Sequence, residues 1–202
     1  MSQTSDKINE KGVFMKRLIV TGAIVLASSS MVFAAEKQAN LGFEYGVSMQ
    51  SFKDSHFSSG SGSFFRLNLK VDDALTYFVH SENGTFTASD SNSTTSNSTH
   101  SNTVNQSIMG VGAKMTFEND ISASLMVGST TLNGYLNARN STSQTAQVAD
   151  VGVNWEKTKG NVSLSTGLTY RHVTLPHSIA IDTKSINDLT STNLNIAIKY
   201  SF

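Results

Sequence analysis

The sequence has no cysteine, a single proline (Pro176) and a single tryptophan (Trp155). Without cysteine there is no disulfide framework and no lipid-modified cysteine behind a signal segment. There is no surplus charge either. Lys plus Arg and Asp plus Glu both come to 15 in 202 residues, so no net field draws the chain to nucleic acid. Charged residues make up 15%, against the roughly 25% usual in soluble proteins, and Ser, Thr and Asn carry the polar surface instead. No long apolar run or helical stripe follows the N-terminal region. With a mean hydropathy of −0.17, this excludes a helical membrane protein. The length suits one domain.

The first organised segment is N-terminal. Lys16-Arg17 precede the apolar run Leu18 to Leu26, and the small-residue exit SSSMVFAA follows. These are the three parts of a secretory signal, with cleavage expected after Ala34. The apolar run is too short to span a bilayer. The polar stretch before it makes Met15 the expected start. Removing residues 1–34 takes four basic residues (Lys7, Lys11, Lys16, Arg17) and two acidic ones (Asp6, Glu10). That leaves 11 and 13, a net charge of about −2.

From there to the end the dominant period is two, the signature of half-buried strands. NLGFEYGVSM sets Leu41, Phe43, Tyr45, Val47 and Met49 against Asn40, Gly42, Glu44, Gly46 and Ser48. FRLNLKV, ALTYFVHSE, MGVGAKMTF, ISASLMVGS, ADVGVNW and NVSLSTGLTYR repeat the design, with Phe78 and Met126 breaking it. NLNIAIKYSF is the eighth such segment. Eight in succession with little between them predict an antiparallel meander.

The connections alternate in length. Short ones fall at Asp72-Asp73, Glu118–Asp120 and Glu156–Gly160; long ones are expected at about 50–63, 81–106, 130–147 and 172–191. All short turns therefore sit at one end of the sheet and all long loops at the other. Outer-membrane barrels have this asymmetry; a Greek-key sandwich has no reason for it. The polar face carries many glycines together with Glu44, Arg66, Lys70, Lys114, Asp150, Arg171 and Lys199. Small residues mixed with paired charges suit the narrow interior of an eight-stranded barrel. On the apolar face Phe117, Trp155, Tyr200 and Phe202 cluster at the short-turn end, as an interfacial aromatic girdle would.

On these features the chain from about Gln38 to Phe202 resembles the small eight-stranded outer-membrane proteins of Gram-negative bacteria, the OmpA-like transmembrane and OmpX type. The resemblance is architectural, and its sharpest element is the end. In that superfamily the last strand closes the barrel and finishes on an aromatic preceded by alternating apolar residues. The barrel-assembly machinery reads that pattern as a folding signal. Leu194, Ile196, Ile198, Tyr200 and Phe202 match those positions. The resemblance implies an all-β, up-and-down transmembrane β-barrel over residues 35–202 in the bacterial outer membrane. It also implies outer-membrane lipid and lipopolysaccharide as surroundings and a monomer as the working state. The part of the OmpA resemblance that would be a periplasmic peptidoglycan-binding domain is not expected here.

The remaining chemistry is sparse. His172, His177 and Ser178 could mimic a serine hydrolase, but His177-Ser178 follow Pro176 in an expected loop and no lipase-type motif surrounds them. His56, His80, His100, His172 and His177 show no metal-ligand spacing and read mostly as solvated loop residues. No catalytic residue, metal or cofactor is assigned. The Ser-, Thr- and Asn-rich stretch around residues 84–105 reads as a mobile external loop able to meet a surface ligand. Three roles remain open. The first is a structural or surface-interacting barrel; the second is a narrow ion or solute channel gated by the interior charges; the third is a secreted or fimbrial β-sandwich subunit.

Overall fold

Strict alternation lets one strand present unlike faces to two environments, and closing the sheet on itself gives each face its own. In a computed structural model, which describes residues 40–89, 101–137, 140–181 and 184–202, the chain does this. The expected signal segment, residues 1–34, and the middle of the Ser/Thr/Asn-rich stretch, 90–100, lie outside the described residues. Strands β1 (Asn40–Phe52), β2 (Gly60–Lys70), β3 (Leu75–Ser89), β4 (Ser101–Thr116), β5 (Ile121–Asn137), β6 (Asn140–Lys159), β7 (Val162–Ile181) and β8 (Lys184–Ser201) pair in sequence order. They form a closed antiparallel barrel. Closure joins β8 to β1, with Glu44 opposite Lys199 and Phe43 opposite Tyr200. The Phe202 amide donates to the Leu41 carbonyl at 2.9 Å, carrying the seam to the last residue.

The short turns are locally encoded. Between β2 and β3 the Asp72 carboxylate accepts the Ala74 and Leu75 amides, both at 2.8 Å. Beside it Lys70 binds Asp73 at 2.7 Å, a hydrogen bond and charge that hold the Asp73 carboxyl below its ordinary pKa. Between β4 and β5 a single 3-10 turn puts Asn119 at φ 65°, a conformation asparagine tolerates.

The outer face has two zones. Near the short-turn end it is apolar, from Leu41 to Met49 on β1 and from Leu194 to Phe202 on β8. Nine residues at about 3.3 Å each, tilted by about 40°, cover roughly 22 Å of height. Toward the other end the outward positions turn polar: Thr103, Asn105 and Ser107 on β4, and Ser143, Thr145 and Gln147 on β6.

The inner face inverts in step. In the apolar-skinned zone it holds Glu44, Asn68, Thr76, Lys114, Asp150, Thr169 and Arg171, all buried. In the polar-skinned zone it holds Phe86, Val104, Ile108, Leu132, Val173, Ile179 and Ile186 in one apolar cluster. Phe57, between β1 and β2, joins this cluster and stacks edge-on with Phe86 at 5.8 Å. The period of two carries from one zone into the other, interrupted near Thr174–Ile179 on β7 and Ile186–Leu189 on β8, while the polarity of the two faces exchanges.

This architecture corrects three expectations. Much of the expected loops is strand: β3 and β4 pair from Leu75↔Met115 out to Ser89↔Ser101. Likewise β5 runs to Asn137 and β7 to Ile181, so long hairpins replace long loops. Phe78 and Met126 keep the alternation and point inward, both nearly fully buried. His177 and Ser178 lie in β7 at a register shift between Thr174 and Ile179 that also holds Pro176, a residue that cannot donate to the ladder.

Candidate functional site

The interior charges are placed by register. Glu44 on β1 stands opposite Arg66 on β2, which stands opposite His80 on β3. Asp150 on β6 stands opposite Arg171 on β7. Because each strand shows alternate residues to the inside, these neighbours all enter the same narrow space, where an unpaired charge would be costly.

Arg171 is the hub. Its Nε and Nη2 donate to Asp150 at 2.9 and 2.8 Å. Its Nη2 and Nη1 reach Glu82 at 2.7 and 3.3 Å. Both edges of the guanidinium are thus forked onto carboxylates, the geometry for which arginine is suited. Ser48 donates to the other side of Glu82 at 2.7 Å.

A second arginine extends the belt. Arg66 Nη1 donates to Glu44 at 3.3 Å, and Asn68 supports the same carboxylate at 3.4 Å. Arg66 Nε donates to His80 Nδ1 at 3.0 Å, so that nitrogen is an acceptor. The ring proton then sits on Nε2, which donates to Glu82 Oε2 at 3.1 Å, and His80 is the neutral tautomer. The guanidinium of Arg66 lies 4.8 Å from the Phe64 ring and 5.1 Å from the Phe78 ring, cation–π contacts in a desolvated setting. Two glycines make room for these rings. A Cβ at Gly46 would come within 2.5 Å of Phe64 Cζ, and one at Gly112 would collide with Phe78.

Lower down, Glu156 joins Lys114 at 2.8 Å and Lys199 at 2.9 Å. Across both levels, the carboxylates Glu44, Glu82, Asp150 and Glu156 match the cations Arg66, Arg171, Lys114 and Lys199 one for one. Lys70 lies apart from them at the rim with Asp73.

Three members of this network lie outside the interior charges expected from the sequence. His80 and Glu82 fall on the polar face with Thr76 in the third segment, but nothing in the segment alone shows that they join the charges. His80 is 1% exposed, the opposite of a solvated loop histidine. Glu156 had been assigned to a turn but continues β6. Among the described residues, no group of three or more His, Asp or Glu side chains is arranged to hold a metal ion. His172 and His177 stay on the outer surface; His172 Nε2 lies 3.6 Å from Asp188 and 3.3 Å from the Thr174 hydroxyl, so one ring nitrogen meets both groups and no relay runs through the imidazole.

The terminal residues form the seam. Phe202 meets Phe43 edge-on at 5.5 Å and Tyr200 at 5.1 Å, while Phe43 meets Phe65 at 5.6 Å. Leu194, Ile196 and Ile198 continue outward along β8 from that aromatic patch.

No known protein-family pattern matches the sequence, and neither does any characterised protein. Solved structures do match in shape. The attachment invasion locus protein Ail of Yersinia pestis superimposes with a TM-score of 0.51 at 10% identity, over 81% of this chain and 99% of Ail. Neisserial surface protein A aligns over 81% and 97% at 11% identity, with a TM-score of 0.46. OprG of Pseudomonas aeruginosa aligns over 81% and 96% at 6% identity, with a TM-score of 0.48. The fold is that of the small eight-stranded outer-membrane barrels.

Proposed function

We propose that the protein is a closed outer-membrane barrel acting as a rigid surface platform, without catalysis and without a conducting lumen. The observation that carries this reading is the exchange of polarity between the two zones. A barrel wholly in water would keep apolar residues inside throughout, and one wholly in lipid would keep them outside. A chain that does each over part of its height stands with its short-turn end in the membrane and its hairpins in water. Export through cleavage after Ala34, insertion guided by the Leu194-to-Phe202 pattern and a monomeric state complete the proposal.

In the water zone the apolar cluster fills the inside, so the outward residues are what a partner meets. They are mostly uncharged hydroxyls and amides on paired strands: Thr85, Thr87, Thr103, Asn105, Thr131 and Thr145. Such a wall is pre-ordered, so contact with a cell-surface ligand costs less ordering entropy than contact through a mobile loop. Ail shares the fold, and the attachment in its name supports a contact role for this architecture.

The narrow-channel alternative rests on the interior charges, and the geometry favours it less. Conduction would require Arg171 to release Glu82 and would also require a path through the apolar cluster above. The test is paired. Purified barrel in a planar bilayer should give no steady conductance. Cells expressing a variant with outward Thr85, Thr103 and Asn105 changed to lysine should lose surface binding while keeping the folded barrel. Steady openings in the unaltered protein would overturn the closed-lumen reading, and unchanged binding by the variant would overturn the wall as contact surface.

A further inference from the structure

Below the charge belt the interior opens at the short-turn end as a cavity of about 340 Å³. Hydroxyls of Thr76, Thr116, Ser122 and Ser163 line it, together with Lys199 and Glu156. Lys114 closes it from above through its bond to Glu156.

The two lysines beside this cavity carry more donors than the acceptors that reach them. Each ammonium carries three N–H groups. Glu156 is the one acceptor found for either Lys114 or Lys199 among the described residues. The two lysine side chains are 9% and 13% exposed, so their remaining donors are largely withdrawn from bulk water. Ser122, at 2% exposure, has a buried Oγ with no hydrogen-bond partner among the described residues.

Charge points the same way. Two lysines against Glu156 leave one positive charge in the cavity. At the rim Lys70 offsets Asp73 and Lys157 offsets Asp120, while Asp72, Glu118 and Lys159 on the outer turns leave one further negative charge in water. Above, three carboxylates (Glu44, Glu82, Asp150) face two arginines with His80 neutral, leaving one negative charge. The exposed rim charges are screened by water and salt, so a small anion inside the cavity feels the lysines most strongly, is repelled by the belt beyond, and stops at the lysines.

We infer that this cavity is a binding site for a small oxyanion, held by Lys114, Lys199 and Ser122. These donors come from β4, β8 and β5, and several oxygens on one centre can meet them together, as a single halide cannot. The shared ligand chemistry is a compact oxyanion, either free inorganic phosphate or the carboxylate end of a small solute.

The test follows backbone amide NMR shifts of the full barrel in detergent micelles, titrated at constant ionic strength with sodium phosphate, acetate or chloride. Saturable shifts are expected at Thr116, Ser122 and Lys199. A phosphate preference identifies the inorganic source and an acetate preference the carboxylate source. Lys199→Met should weaken binding roughly tenfold or more, the worth of one charge-assisted hydrogen bond. Ser122→Ala, a mild change, should weaken it by a smaller factor, and Lys157→Met at the rim should leave it unchanged. Glu156→Gln should tighten binding by removing the competing carboxylate, an effect opposite in sign to general damage of the fold. The inference is overturned by no saturable shift in the unaltered protein, by chloride equalling the oxyanions, by Lys199→Met binding unchanged, or by Glu156→Gln failing to bind more tightly.

Discussion

Arg171 on β7 and Glu82 on β3 are 89 residues apart in sequence, and their side chains meet at 2.7 Å inside the barrel. In a ring of eight strands, β3 and β7 stand on opposite walls. The bond therefore spans the lumen and ties its two sides together.

Removing the hub should be expensive. Arg171→Met leaves Glu82 and Asp150 buried without a counter-charge and is expected to destabilise the barrel by about 3–5 kcal/mol. The triple change Arg171→Met, Glu82→Gln, Asp150→Asn should recover much of that loss, because no uncompensated charge remains. The temperature at which the heat-modifiable gel band converts to its unfolded mobility reads both outcomes.

The water-zone cluster should behave as a protein core. Leu132→Ala, at a fully buried position, is expected to cost about 2–5 kcal/mol, while outward Thr131→Ala should stay within about 0.5 kcal/mol of neutral. Equilibrium unfolding in detergent measures the difference. Equal effects at the two positions would mean that these hairpins are not folded as described.

The apolar skin makes a different demand. Leu125→Arg introduces a cation facing hydrocarbon and should cost about 2–4 kcal/mol in a lipid bilayer. Thr145→Arg, on the polar zone of the next strand, should cost little. Folding titrations into vesicles compare them.

The terminal pattern yields a cellular prediction. Phe202→Ala should reduce the amount of barrel in the outer-membrane fraction several-fold, while refolding of the purified chain into detergent proceeds. Unaltered membrane levels would separate the terminal aromatic from any role in assembly.

The strand meander and its closure were legible because lipid-facing and interior positions differ so sharply over Leu41–Met49 and Leu194–Phe202. Beyond Met109 and Val79 the same strands become hard to recognise. There the outward half is Ser, Thr and Asn, which reads as a loop composition, and the inward half supplies only every second residue. Phe86, Ala88, Val104 and Ile108 nonetheless kept the period of two, with its polarity reversed. Phe78 looked like a fault in the pattern because an aromatic seemed out of place in a polar lumen. It stacks on Arg66 in space left by Gly112, a relation between three strands that no single segment displays. Glu156 carries the right parity but lies past the expected end of its strand, and Glu82 falls on the polar face at the very end of the third segment, where an expected long loop begins.

The central claim is that one boundary divides the barrel into a lipid-facing and a water-facing zone. The absence of native cysteine makes it directly measurable. Thr145→Cys and Val153→Cys both point outward from β6 and are both exposed, on either side of that boundary. In intact cells a membrane-impermeant maleimide should label Thr145→Cys rapidly and leave Val153→Cys unlabelled until the membrane is dissolved and the protein unfolded. Comparable labelling of the two positions in intact cells would contradict the account.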